Sequence, residues 1–317
     1  MLLKKSPEYP KEYKGSPDQG VTAGFSRYPK VFYVETVLAC NLACPECVIG
    51  IDGVERTKGI IKPKEFNIIS KKIEKHAKLV YLHKWGEPTM NKNIYDYIEM
   101  VSDYAHVHIS TNSLLLNEEK IEKLITKGCG TLIVSIDGFS QEVYQKYRVG
   151  GKVEIALRNL KLISSINKKY GDPVYVIPQF IVFEHNYDEI KLFQKFCEEI
   201  ELIPRFKNPY IRYGDKVKPS KDPKYKKKTY EPLEHIEAIK TCNSLLNVMT
   251  ITVNGDVILC SQDYNGSKGF IGNILDENSS VESIWDGEYF TEMRNKALSG
   301  NPCDLCLKNC TIYPPSN

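Results

Sequence analysis

The sequence predicts an α/β protein in which a parallel sheet carries helices on its outer side. Short β-rich segments alternate with helical segments about six times along the chain. The connections are long enough for the crossovers that parallel strands need. Hydrophobic residues make up 42% of the 317 residues and charged residues 26%, which allows a large core. Because chemistry in such sheets gathers where strands end, we expect functional residues at the carboxyl ends.

Each element has its own signal. The first strand is rich in β-branched and aromatic residues from Val31 to Leu38, and Pro63 suits the first turn of the helix that follows. Asn117 is a suitable N-cap for a later helix. The predicted strands cover 31–38, 79–82, 106–110, 131–135, 174–183 and 203–211. The predicted helices cover 63–77, 93–104, 118–127, 152–168 and 188–200.

The two ends of the chain differ in character from this repeat. Residues 1–30 are rich in Pro, Gly, Lys and Tyr and show no periodicity, so we interpret them as a surface arm. Near the other end, Asn254-Gly255 between two apolar runs (248–253 and 256–260) predicts a β-hairpin, and a helix is predicted over 281–298. The predicted division is therefore an arm, a main domain, a basic linker and a C-terminal domain, covering 1–30, 31–211, 212–240 and 241–317.

The stretch from 205 to 228 is strongly basic. Against Asp215 and Asp222 it carries ten cationic residues: Arg205, Lys207, Arg212, Lys216, Lys218, Lys221, Lys224, Lys226, Lys227 and Lys228. One interpretation is a solvated linker, since charge runs often lie in solvent. The other is an electropositive lip for a phosphorylated or acidic substrate.

Composition narrows the class of protein. The net charge of +3 is too small to indicate a nucleic-acid partner, and no apolar run reaches membrane-spanning length. The N-terminal residues lack the apolar core of a signal peptide. Ten cysteines without an export signal predict a reducing, cytoplasmic location and metal binding rather than disulfides.

Three cysteines, Cys40, Cys44 and Cys47, fall within eight residues just after the first strand. Thiolates at such spacing select zinc, copper(I) or an iron–sulfur cluster. A structural zinc site needs four ligands, and the sequence offers no fourth Cys or His nearby. A cluster of four irons held by three thiolates would leave one iron open. Buried cysteines or part of a zinc knuckle are the alternatives.

This C-x3-C-x2-C spacing resembles the signature of the radical S-adenosylmethionine (SAM) enzymes. The resemblance implies a catalytic 4Fe–4S cluster on Cys40, Cys44 and Cys47, whose open iron binds SAM and cleaves it to a 5′-deoxyadenosyl radical. It also implies a partial (β/α)6 TIM-like barrel and a flavodoxin- or ferredoxin-type reductant. The chain departs from the family in having Glu46 where an aromatic or large apolar residue usually precedes the third cysteine.

The same resemblance implies a set of SAM contacts. The segment Trp85-Gly86-Glu87-Pro88 is similar to the Gly-Gly-Glu-Pro segment that meets the SAM amino group, with Trp85 replacing the first Gly. Ends of later strands match positions that touch the ribose and the methionine moiety, and Arg148 matches an arginine that meets the SAM carboxylate. The strand-end candidates are Ser110, Asn112, Ser135 and Asp137. Asn186 lies near a strand tip that would face adenine, and His83 either faces substrate or ends a strand without chemistry.

The C-terminal cysteines resemble a SPASM/twitch extension. Cys242, Gly255 and Cys260 fit the spacing of the first two cysteines and the glycine of that extension. Cys303 and Cys306 fit its next pair of cysteines. These four would hold one auxiliary 4Fe–4S cluster, with Cys310 a spare thiol or a replacement ligand. A zinc ribbon is the alternative. The remaining cysteines, Cys129 and Cys197, are predicted to be buried thiols.

The resemblance implies a radical SAM oxidoreductase acting on a small molecule or a peptide. An auxiliary cluster that accepts an electron favours a two-electron oxidation of a sugar, aminocyclitol or nucleotide-sugar. Peptide maturation by cross-linking or epimerisation of a ribosomally made peptide is an alternative in the same class. A non-catalytic iron–sulfur electron-transfer or zinc-binding protein is the alternative from another class, and it leaves the Gly-Glu-Pro segment unexplained.

Overall fold

The computed structural model describes residues 3–9, 27–211, 213, 216–225, 239–240, 242–260, 262–266 and 270–309. Within them, the strands are β1 (Val31–Val34), β2 (Leu79–Tyr81), β3 (His106–Thr111), β4 (Thr131–Ser135), β5 (Tyr175–Ile181), β6 (Arg205–Lys207), β7 (Val248–Ile251), β8 (Asp256–Ile258) and β9 (Gly272–Asn273). The α-helices are α1 (Pro63–Ile73), α2 (Ile94–Val101), α3 (Glu118–Thr126), α4 (Gln141–Tyr147), α5 (Val153–Lys169), α6 (Ile190–Glu199), α7 (Asn243–Leu246), α8 (Val281–Trp285), α9 (Glu288–Leu298) and α10 (Asp304–Asn309).

The described strands form one sheet in the order β6-β5-β4-β3-β2-β1-β7-β8-β9. Strands β1 to β6 are parallel, and helices α1 to α6 connect them, with both α4 and α5 between β4 and β5. The predicted α/β class and partial barrel are confirmed. The predicted first strand is too long, however. Strand β1 ends at Val34, and the Gly86 turn lies against the carbonyls of Val37 and Ala39, with the Glu87 N–H donating to the Ala39 carbonyl at 2.8 Å.

Two helical predictions were wrong in detail. Helix α4 was not predicted, although Ser140 caps it by accepting a hydrogen bond from the Val143 N–H. The helix expected over 281–298 is two helices, α8 and α9. Gly287 separates them in an extended conformation (φ −57°, ψ 145°) as the N-cap of α9. A single glycine inside an apolar helical pattern was therefore a break rather than a tolerated interior residue.

The C-terminal hairpin forms as predicted and joins the sheet of the barrel. Strands β7 and β8 are antiparallel, and Gly255 supplies the positive φ (+83°) that the turn requires. Strand β7 also pairs in parallel with β1, from Val31 opposite Val248 to Val34 opposite Ile251. The first strand of the chain is thus an interior strand. The division into four segments stays a prediction.

The two faces of the sheet have different chemistry. Phe32 and Val34 of β1 belong to the main core, whereas Val31 and Tyr33 face the other side, which we call the concave face. Residues 3–9 close the amino-terminal end of this face: the Pro7 carbonyl is 2.8 Å from His106 Nδ1, and Tyr9 packs on the apolar group there. Residues 3–9 thus cover one end of the concave face, and the predicted site lies at the other end, at the carboxyl ends of the strands. Among the described helices, none is long and apolar enough to span a bilayer.

Candidate functional site

The loop after β1 brings Cys40, Cys44 and Cys47 into one small apolar group. The group also contains Leu42, Leu114, Tyr147, Ile181, Phe183 and Val217. Cys44 is buried and the other two thiols are partly exposed. The Cys47 N–H donates to the Cys44 carbonyl at 3.1 Å, which folds the loop back on itself. The three thiols thus share a largely dry site at the carboxyl end of the sheet.

The burial of these thiols affects how they would bind metal. Burial raises the pKa of Cys40 to about 11 and the pKa of Cys44 to about 12, so iron binding to these thiols would release protons. Across the described part of the chain, no three Cys, His, Asp or Glu side chains are close enough to hold one metal ion. A zinc knuckle needs its ligands around one ion, whereas the thiolates of a cluster each bind a different iron.

Gly86 fixes the predicted SAM-binding segment beneath the cysteine loop. A Cβ atom at this position would lie 2.2 Å from the Val37 carbonyl oxygen and 2.7 Å from that of Ala39. Only glycine allows so close a backbone approach. The residue before it, Trp85, faces the Arg56 guanidinium, whose carbon lies 5.3 Å from the ring centroid.

Glu87 is almost fully buried, with 3% of its surface exposed. Its Oε1 accepts hydrogen bonds from the hydroxyls of Thr89 and Thr111, both at 2.6 Å, and from the Thr89 N–H at 3.1 Å. Its Oε2 accepts from the Asn112 N–H at 2.8 Å. The carboxylate therefore joins the Gly86 turn to the end of β3. Its predicted contact with the SAM amino group stays a prediction.

The predicted strand-end residues lie at the carboxyl ends of neighbouring strands, and Asn112 contacts the cysteine loop. Asn112 donates from Nδ2 to Asn41 Oδ1 at 2.9 Å, and the same nitrogen is 3.8 Å from Cys40 Sγ. The Ser110 N–H donates to His83 Nδ1 at 3.1 Å. Ser135 accepts a hydrogen bond from Gln179 at 3.4 Å. The structure thus gathers these residues at one end of the sheet, as their sequence positions indicated.

Asp137 and Arg148 form a buried ion pair beside Cys44. Arg148 Nε donates to Asp137 Oδ2 at 2.6 Å, and its Nη1 lies 3.9 Å from Cys44 Sγ. Asp137 has a positive φ (66°), and its other oxygen accepts from the Ile181 N–H at 2.5 Å. The Asn186 side chain donates to the Asp137 carbonyl at 3.0 Å. The pair holds the ends of β4 and β5 against the cysteine loop.

Sequence reasoning missed a second buried ion pair. Arg56 donates to both oxygens of Glu35, at 3.0 and 3.1 Å, and the side chains are 5% and 0% exposed. Glu35 also accepts from the Val253 N–H at 3.0 Å, and Arg56 donates to the Tyr264 carbonyl at 2.6 Å. A charged residue inside an apolar strand was the available signal. The pair connects β1 and the cysteine loop to the C-terminal hairpin.

Glu46 has a local role that the family pattern did not indicate. Its Oε2 accepts from the Tyr213 N–H at 2.9 Å, which ties the cysteine loop to the basic segment. In that segment Lys216, Lys218, Lys221 and Lys224 are exposed, whereas Arg205 and Lys207 of β6 are half-buried. Arg205 donates to Gln179 at 2.7 Å. The segment therefore combines solvated lysines with cations placed on the sheet.

The four C-terminal cysteines of the predicted auxiliary site also converge. Cys303 Sγ and Cys306 Sγ are 3.7 Å apart. The hydrogen bond with Cys303 and burial raise the pKa of Cys306, and the charges of Cys260 and Cys242 raise it further. Cys310 lies outside the described residues. Cys129 and Cys197 are buried, as predicted.

Lys84 lies near the C-terminal cysteine site and was not predicted as a site residue. Its Nζ is 3.9 Å from the ring centroid of Tyr33 and 5.3 Å from that of Trp85. Burial lowers the pKa of Lys84 to about 8, against the opposing charges of Cys260 and Glu35. Its neighbours are thus a strand of the barrel, the SAM-binding segment and the C-terminal cysteine site.

The family models agree with this arrangement of two cysteine sites. The radical SAM superfamily model matches residues 34–196, and the SPASM iron–sulfur cluster-binding domain model matches residues 242–311. The chain belongs to the radical SAM superfamily and carries a SPASM domain. Its cofactors are accordingly a 4Fe–4S cluster, an auxiliary cluster and SAM.

Similar proteins carry out different reactions. A probable GTP 3′,8-cyclase of Methanocaldococcus jannaschii is 26% identical over 56% of this chain and 58% of its own length. An S-adenosyl-L-methionine-dependent 2-deoxy-scyllo-inosamine dehydrogenase of Niallia circulans is 23% identical over 87% of this chain and 90% of its own length. For the first curated relatives, this chain spans only about a third to three fifths of their length. The cyclase and the dehydrogenase are named as enzymes, which supports enzyme status for this chain.

Solved structures share the fold over most of the chain. The crystal structure of BtrN with AdoMet and 2-DOIA matches with a TM-score of 0.57 and 19% identity, over 89% of this chain and 93% of that one. SuiB of Streptococcus suis, bound to its precursor peptide SuiA, matches with a TM-score of 0.64 and 16% identity, over 90% of this chain and 72% of that one. At these identities the similarity establishes the fold alone.

Proposed function

We propose that the chain is a radical SAM oxidoreductase that oxidises a hydroxyl-bearing carbon of a small polar substrate to a carbonyl, removing the hydrogen on that carbon and the hydrogen of its hydroxyl. The observation that carries the proposal is a second site of four converging cysteines, two of which flank the hairpin that shares the barrel's sheet. When bound, the cofactors supply a carbon radical from SAM and, at the auxiliary cluster, an acceptor for one electron.

The residues of the chain hold these groups in place. Cys40, Cys44 and Cys47 would bind the catalytic cluster, and Cys242, Cys260, Cys303 and Cys306 the auxiliary cluster. The residues that we propose bind SAM are Trp85, Gly86, Glu87, Ser110, Asn112, Ser135, Asp137 and Arg148. The apolar group around the three thiols would exclude water, which protects a reactive radical from side reactions.

A small, hydroxylated substrate is supported by two findings. The Niallia circulans dehydrogenase aligns with this chain over nearly the full length of both. The concave face below the site carries tyrosine, histidine, serine and glutamine side chains, which suit a polar molecule. Modification of a peptide is the second candidate, because SuiB in complex with its precursor peptide has the same fold over 90% of this chain.

Deuterium transfer tests this function. The anaerobically reconstituted protein would be given SAM, a flavodoxin- or ferredoxin-type reductant and 2-deoxy-scyllo-inosamine or a sugar panel deuterated at each carbinol carbon. We expect 5′-deoxyadenosine one mass unit heavier, in a one-to-one ratio to a product that has lost two hydrogens. Deuterium transfer without a two-hydrogen loss would contradict oxidation, and transfer from a deuterated peptide alone would favour the second candidate.

A further inference from the structure

Three rings stand side by side on the concave face, and we call them the ring ladder: Tyr33, Tyr81 and His108. They lie on adjacent strands in register, Tyr33 opposite Tyr81 and Tyr81 opposite His108. The two tyrosine rings stack with centroids 4.2 Å apart and planes 12° apart, and the Tyr81 and His108 centroids are 4.5 Å apart. Each ring thus holds its neighbour in one orientation.

His108 is buried at one end of the ring ladder. Its side chain has no exposed surface, and neither ring nitrogen has a hydrogen-bond partner among the described residues. Burial lowers the pKa of His108 well below its usual value, so the ring is neutral and offers one donor and one acceptor. Two buried polar atoms without partners cost free energy, which a ligand would remove.

Lys84 lies at the other end of the ring ladder, against Tyr33. Its described contacts are the faces of Tyr33 and Trp85, and no acceptor of the described residues lies within hydrogen-bond distance of its ammonium. The charges that act on Lys84 are those of Cys260 and Glu35, and Glu35 is already paired with Arg56 through two hydrogen bonds. A partly dry cation without an acceptor is a site for an anionic group of a ligand.

We propose that the concave face binds a substrate that carries a phosphate or a carboxylate, with Lys84 binding this anionic group and His108 hydrogen-bonding a hydroxyl. A hydroxyl can both accept from and donate to the neutral imidazole, which suits both unpartnered nitrogens. Tyr9 and the apolar group closing the amino-terminal end limit the depth of the site. The inference rests on the proposed function only in taking the concave face as the substrate site.

Direct binding tests the proposal without turnover. Isothermal titration of the anaerobic, SAM-loaded holoenzyme would compare glucose, glucose 6-phosphate and glucuronate, which separates phosphate from carboxylate. We expect at least one anionic sugar to bind about 10-fold or more tightly than glucose, because a hydrogen bond between charged groups is stronger than one between neutral groups. Lys84→Met should abolish this difference, and Lys64→Met, a change of an exposed lysine on α1, should preserve it.

His108→Phe provides an independent variant that keeps the ring and removes both nitrogens. It should weaken glucose and the anionic sugars by a similar factor, because it removes the hydroxyl contact. The proposal is overturned if no anionic sugar binds more tightly than glucose, or if Lys84→Met binds the anionic sugars as tightly as the wild type. Iron content and circular dichroism of each variant would confirm folding. If the anionic sugars bind as expected but none of the tested substrates is oxidised, the proposed oxidation is rejected and the proposed binding site is retained.

Discussion

Glu87 shows how one side chain can serve both the fold and the site. Its four hydrogen bonds come from a turn and from the end of β3, so it positions Asn112 near Cys40 whether or not it also meets SAM. Fully satisfied buried carboxylates of this kind rigidify their surroundings. The local order of the site therefore depends on a residue that the sequence motif marks only as a cofactor contact.

Glu87→Gln is expected to weaken SAM binding and cluster retention together. The amide would point a donor at groups that are themselves donors, and the lost charge-assisted bonds are worth about 1.5–3 kcal/mol. SAM titration and iron analysis of the reconstituted protein would measure both effects. Glu154→Gln, an exposed change on α5, is the control. SAM affinity and iron content equal to the wild type would show that the four contacts are dispensable.

Cys44→Ala is expected to abolish SAM cleavage while the C-terminal iron persists. Cys44 is the most buried of the three thiols, and its loss leaves only two thiolates to hold the catalytic cluster. Iron content, EPR and 5′-deoxyadenosine formation would be measured. Cys129→Ala removes a buried thiol outside both sites and should retain activity. A Cys44→Ala protein that cleaves SAM at the wild-type rate would exclude Cys44 as a ligand.

Among the contacts between elements, the Glu35–Arg56 ion pair connects β1 and the cysteine loop to the C-terminal hairpin. Breaking one partner leaves a buried charge alone, so Glu35→Ala should cost about 3–5 kcal/mol of stability. The double variant Glu35→Leu with Arg56→Met should recover most of it, because no buried charge remains. Denaturant unfolding of the anaerobic protein would give both values. Equal stability of the single and double variants would show that the charges are solvated.

The sequence predicts elements better than it predicts the contacts between them. Strands such as β4 were predicted to the residue, because their β-branched runs are local signals. The pairing of β7 with β1 and the pairing of Glu35 with Arg56 were not predicted. No local sequence pattern indicates which distant segment a strand or a charged residue will contact. The cysteines were found from spacing alone. Lys84 and His108 were not predicted to belong to one site. Only the strand register sets Tyr33, Tyr81 and His108 side by side, which places Lys84 and His108 at the two ends of the ring ladder.

At the scale of the whole molecule, the C-terminal region depends on metal. Cys242, Cys260, Cys303 and Cys306 come from separate loops and short helices, so a cluster that closes these loops should supply much of the folding energy. We expect about eight irons per reconstituted chain and about four in Cys303→Ala. Zinc in this site, or about four irons in the wild type after full reconstitution, would reject the assignment of these cysteines. Cys197→Ala is the control.

The pairing of β1 with β7 also has a consequence for synthesis in the cell. One edge of β1 can pair with β2 as soon as both leave the ribosome, but its other edge waits for residues 248–251. Until then an apolar strand of Val, Phe, Tyr and Val presents an open backbone, the kind of edge that recruits other chains. Contacts between distant segments also form slowly. The nascent chain therefore passes through a long aggregation-prone stage, and a chaperone that shields this edge would raise the yield of folded protein.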